Sequence, residues 1–113
     1  MANRFREIFK DRVPIQETYT ICGDTLANVI QLEVHYDKGE GRTIRGFYLA
    51  VTPMRVQERG YIYTPFDSQR YRLTACDRYS AKAEAEARKI YDVAKPQAIR
   101  DCLMRFGLKL MEE

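Results

Sequence analysis

Ile30-Gln31-Leu32-Glu33-Val34-His35-Tyr36 alternates apolar and polar side chains at every step. A period of two marks a β-strand with one face against a core and the other toward water. The next apolar run, Thr43–Met54, sets Phe47, Leu49 and Val51 on one face and Tyr48, Ala50 and Thr52 on the other. Both faces are largely apolar or aromatic, so this strand is expected to be central. Pro53 puts its end near a bulge or an edge, because proline cannot donate to a ladder. The link Lys38-Gly39-Glu40-Gly41-Arg42 is a five-residue hairpin loop by composition.

On either side the signals continue. Residues 17–22 are β-prone and Gly23-Asp24 marks a turn; residues 61–66 and 70–76 are two further strand candidates around Asp67-Ser68-Gln69. Four to five sequential strands with short links predict an antiparallel meander. Toward the N-terminus, Phe5, Ile8 and Phe9 recur at i, i+3, i+4, which predicts a short amphipathic helix or turn over 3–11, with Asn3 as a candidate cap and a break at Val13-Pro14-Ile15. A helix this short is marginal alone, so the arm is expected to pack on the body or on a second subunit.

Toward the C-terminus, Ala83, Ala87, Ile90, Tyr91 and Ala94 share one helical face, with Ser80 or Asp77 as the cap. Lys95-Pro96 ends this helix and starts another, striped by Ile99, Cys102, Leu103 and Phe106, with Gly107 as its stop and Leu108 folded back. The expected fold is therefore α+β: an antiparallel four- to five-stranded meander followed by two C-terminal helices, 80–94 and 96–107, packed on one face. A chain of 113 residues fits a single domain, with an arm over 1–14, the sheet over 15–76 and the helices over 77–113. Leu32, Phe47, Leu49, Val51, Ile90, Leu103 and Phe106 are the expected core.

No stretch reaches eighteen consecutive apolar residues, so no membrane partner is expected. The N-terminus lacks the apolar run of a secretory signal, so a cytoplasmic location is expected. Cys22, Cys76 and Cys102 are an odd, widely spaced set, unlike a disulfide framework or a zinc site, and His35 is the one histidine. Neither metal nor cofactor is expected. His35 between Glu33 and Asp37 allows a carboxylate–imidazole pair. No nucleophile motif, HExxH or phosphate-binding glycine loop accompanies it, and solvated alternation explains those residues equally well. A non-enzymatic role is the expectation.

Charge distribution carries the functional reading. There are 19 Lys and Arg against 16 Asp and Glu, a net charge of +3, which excludes a grossly basic or acidic tail. Residues 38–72 hold seven bases and three acids, so the positive excess sits on the hairpins. Six of those bases are arginines, which fork onto phosphate and stack on bases better than lysine does. Arg42, Arg45, Arg55, Arg59, Arg70 and Arg72 interleave with Tyr48, Tyr61, Tyr63 and Tyr71. Arginine and tyrosine on a sheet surface are what single-strand nucleic-acid binders use: the arginines contact the backbone and the tyrosines offer stacking platforms. Strand alternation must send some of those tyrosines inward.

Tyr19–Asp24, Arg45–Pro53 and Ser80–Ala87 resemble segments of small uncharacterised proteins encoded on mobile elements of Gram-positive gut bacteria. That resemblance covers most of the chain and implies no established activity. The strand order separately resembles the units of coactivator-type and Whirly-type single-stranded-DNA-binding domains, which bind through a sheet surface and are usually paired. The expectation is a single-stranded nucleic-acid-binding or regulatory domain, working as a homodimer. The alternatives are a protein-interaction or accessory module of a mobile element, and a small-molecule-binding domain.

Overall fold

The computed structural model describes residues 4–21, 24–56, 62–63 and 68–110, with side chains over 4–15, 29–54 and 68–110. The strand β1 (Phe5–Ile21) pairs antiparallel with β2 (Asp24–Asp37), and β2 pairs antiparallel with β3 (Gly46–Val56). The outer edge of β3 is shared by the two-residue β4 (Ile62–Tyr63) and by β5 (Gln69–Ala75). One helix, α1 (Ala81–Phe106), lies across one face. The class is α+β with an antiparallel sheet, as expected, and β3 is central.

Three expectations are corrected. The segment 3–11 does not form a helix: its residues from Phe5 onward begin β1, and the arm and residues 17–21 form one long strand. The register shifts between Glu7 and Phe9, and this bulge places Ile8 and Phe9 together on the helix side while Phe5 stays on the opposite face. Two adjacent apolar residues on one side of a bulged strand imitate the helical spacing i, i+3, i+4. Pro14 does not end the element, because β1 is an edge strand and tolerates a missing donor beside a second irregularity.

The meander is also interrupted. β5 returns to β3 rather than to β4, and the two occupy successive stretches of one edge. Pro53 lies in the gap between them, opposite Ile30 of β2, where β3 bonds neither outer strand. On that outer edge there is no ladder for its missing N–H to break.

Finally, the two expected helices are one. Ala87, Tyr91, Ala98 and Cys102 are buried along a single stripe that runs past Pro96. Both halves dock on the same sheet, which offsets the roughly 3 kcal/mol that an interior proline costs a helix. The ends are as expected. The Ser80 hydroxyl accepts from the Ala83 N–H at 3.1 Å, and Gly107 adopts φ 64° as Leu108 N–H reaches back to the Leu103 carbonyl at 2.8 Å.

The core lies between sheet and helix. Ile30, Leu32, Val34, Leu49 and Val51 pack with Tyr91, Ala98 and Cys102, while Tyr36, Phe47 and Ala87 form a second cluster at the helix's N-terminal end. Ile90, an expected core residue, is 39% exposed, and Leu103 and Phe106 are only half-buried. The buried stripe is centred one residue round the helix from Ile90. Tyr91 takes the inward place, donating its hydroxyl to Asp11 of β1 at 2.6 Å.

Gly46 opens β3 where β5 crosses closest. A Cβ there would run into the Thr74 carbonyl oxygen. Gly46→Ala is expected to pry the end of β5 from β3 and to lower stability by about 1–3 kcal/mol, read as a shift of the urea midpoint.

Candidate functional site

The cross-strand register assembles a polar cluster on the sheet face turned away from α1. His35 of β2 stands opposite Tyr48 of β3, Asp37 opposite Phe5 of β1, and Ala50 opposite Arg70 of β5. Four strands thus contribute to one patch. Its centre is Asp37, fully buried. Arg70 Nη2 donates to Asp37 Oδ2 at 2.5 Å, Arg4 Nε to Oδ1 at 2.9 Å, and the Gly39 N–H to Oδ1 at 2.8 Å. Burial pushes this carboxyl up, but the three donors outweigh it and hold the group at about 2. Arg4 also reaches Glu40 at 3.3 Å, so the 38–42 loop is tied to the cluster. Its positive-φ residues Gly39 and Gly41 provide the turn.

Arg70 also organises the rings. Its guanidinium lies 3.9 Å over the Tyr48 ring, and its Nε donates to His35 Nε2 at 3.2 Å. The His35 and Tyr48 rings stack at 6.1 Å, and Phe5 meets His35 edge-on at 5.4 Å. An imidazole that accepts at Nε2 carries its proton on Nδ1 and is neutral. Burial and the Arg70 charge both lower the His35 pKa, against the pull of Asp37. The carboxylate–imidazole pair allowed by the sequence is therefore replaced by an arginine–imidazole contact, with Asp37 bonded to the arginines instead.

Phe5, Glu33, His35 and Arg70 line a shallow, open cavity of about 290 Å³. Burial, and then the nearby Glu7, raise the Glu33 pKa, with Lys10 opposing. Lys10 and Arg12 extend the patch along β1. Lys10 pairs with Glu7 at 3.1 Å and Arg12 bonds Gln31 at 3.2 Å.

The expected binding residues divide. Tyr48 and Arg70 come together in the cluster. Tyr48 is 9% exposed, because Arg70 covers its ring and its hydroxyl bonds the Ile44 carbonyl. Arg42 and Arg45 are exposed beside the loop, and Arg45 reaches the Asp77 carbonyl at 3.5 Å. Tyr71 points the other way, under α1, with its hydroxyl on Gln69 at 2.7 Å. Arg72 is exposed at the mouth of the groove between β5 and α1. The side chains of Arg55, Arg59, Tyr61 and Tyr63 lie outside the described residues, as does Cys22. Cys76 and Cys102 are free thiols.

Sequence reading missed Arg4 and Phe5, and it set Asp37 beside His35 without its arginine partners. Asp37 had a signal, since it continues the 31, 33, 35 parity of β2. Arg4 and Phe5 had none, because the bulged segment reads as a helix. Among the described residues no group of three or more His, Cys, Asp or Glu side chains could hold a metal ion, and no helix is long and apolar enough to cross a membrane. No family model matches the chain, and no curated protein or solved structure is significantly similar to it.

Proposed function

We propose that the protein binds single-stranded nucleic acid on the sheet face opposite α1. The observation that carries this reading is the Arg70 guanidinium laid on the Tyr48 ring beside the His35 and Phe5 rings. A guanidinium held over an aromatic ring by Asp37 and His35 offers a cationic surface on which a base can stack. Phe5, 43% exposed, offers a second platform next to it. Tyr48 supports the platform from beneath and does not meet the strand itself. Lys10 and Arg12, on the same face of β1, and the exposed Arg42 add positive charge for the backbone, whereas Arg45 is turned to the Asp77 carbonyl.

Asp37 moderates the attraction. It offsets part of the Arg4 and Arg70 charge, so affinity leans on stacking more than on counterion release. Weak sequence preference follows, because every base has a stackable face.

The test is fluorescence anisotropy of the full chain with a labelled oligonucleotide at low and moderate salt. Phe5→Ala and Arg70→Ala are each expected to weaken binding by about 1–3 kcal/mol. Arg42→Ala should chiefly flatten the salt slope. Lys89→Ala removes a like charge from exposed α1 and is expected to leave binding unchanged. Absence of binding at low salt, or equal losses from Phe5→Ala and Lys89→Ala, would refute the proposal.

A further inference from the structure

Six large apolar side chains are exposed among the described residues, and three of them, Ile90, Val93 and Met104, lie along α1. Val93 is 83% and Met104 82% exposed. At 100° per residue the three fall within about 60° of one another, on the side of the helix turned away from the buried stripe. That flank runs Glu86, Ile90, Val93, Gln97, Arg100, Met104, with alternating steps of four and three. This is the spacing of a helix that packs on another helix.

We infer that this flank is where a second copy of the chain docks, α1 against α1, antiparallel about a two-fold axis near Val93. The charges select that partner and that direction. Glu86 and Arg100 stand seven residues to either side of Val93, about 10 Å each way along the axis. Two-fold antiparallel packing brings Glu86 of each copy to Arg100 of the other and places the two Val93 side chains together. Parallel packing would set glutamate on glutamate and arginine on arginine. Neither residue is committed elsewhere by charge: Arg100 bonds the neutral Gln97 at 2.8 Å, and the ion pairs of α1 use Glu84, Arg88 and Lys95 instead. The sheet face opposite α1 stays uncovered, so this inference stands independently of the binding proposal.

Sedimentation velocity on the full chain across a range of concentrations tests it. The wild-type chain should show a concentration-dependent monomer–dimer equilibrium. Val93→Asp, at a side chain that is already exposed, should keep the far-ultraviolet circular dichroism and sediment as a monomer. Glu86→Arg and Arg100→Glu should each weaken the dimer roughly tenfold or more, a change of about 1.4 kcal/mol. The double variant should regain most of the loss, which a merely less soluble helix would not do. A wild-type monomer at all concentrations, a dimer indifferent to Val93→Asp, or a double variant no better than either single would overturn the inference.

Discussion

Phe47→Ala is expected to cost about 3–5 kcal/mol, the largest loss of any single truncation considered. Phe47 is fully buried on the central strand, between Tyr36 at 5.2 Å and Tyr79 at 5.9 Å between ring centroids. These rings and Ala87 form the small cluster that seats the first turns of α1. Its removal leaves a cavity that neither backbone can close, because β3 is held by ladders on both edges. A large fall in the urea midpoint at unchanged slope is the expected readout. A change below about 1 kcal/mol would mean that the helix is seated elsewhere.

Asp37→Ala is expected to cost about 2–4 kcal/mol. The substitution removes the shared acceptor of Arg4, Arg70 and the Gly39 N–H. The loss stays below the worst case for a broken buried pair because both arginines are about one-third exposed, 31% and 34%, and can rehydrate. Asp37→Asn keeps an acceptor for Gly39 while losing the charge, so it should fall between wild type and alanine. The same residue predicts an acid limb. Its carboxyl sits at about 2 in the fold against an ordinary 3.8. The unfolded chain therefore binds the proton first, and the stabilisation, roughly 2 kcal/mol, is complete above pH 4 and lost as pH falls toward 2. His35, with its pKa lowered by burial and by Arg70, adds a loss of the same sign below its ordinary value of 6.5. Glu33, raised by burial, opposes both. Urea midpoints against pH, for wild type and Asp37→Asn, check this: the variant should show a smaller drop between pH 4 and 2, the remainder coming from groups such as Glu84, which Tyr79 and Arg88 also hold below the usual carboxylate range.

The same residues couple stability to the binding proposal. Asp37 orients Arg70 over Tyr48, so Asp37→Asn should weaken oligonucleotide binding by loosening the platform, although it adds positive charge to the patch. A simple electrostatic surface would respond in the opposite direction. That difference separates a built stacking site from a diffuse basic one.

Much of the architecture was legible in the chain. The alternation at 30–36 and the two-sided apolar pattern at 47–52 report β2 and β3, because a period of two has no other regular reading. Ser80 and Gly107 report the ends of α1, because cap chemistry is local. The bulge at Ile8 was not legible. It shifts the parity of β1 through its pairing with β2, and no residue near it carries that information. Pro96 was misleading for a related reason. Proline disfavours a helix interior, and only the sheet beneath both halves outweighs that preference.

By itself, then, the sequence determined the α+β class, the antiparallel pairing at the centre of the sheet and the helix caps, all of which follow from short-range periodicity and local hydrogen bonding. The tertiary structure alone decided that residues 3–11 join the sheet, that β5 returns to β3 and that α1 is unbroken. It also decided that Arg4, Phe5, His35, Asp37, Tyr48 and Arg70 meet on one face. Those outcomes depend on contacts between residues far apart in the chain, 65 positions for Phe5 and Arg70 and 80 for Asp11 and Tyr91. Strand register, set by the whole buried face at once, fixes which side chains become neighbours.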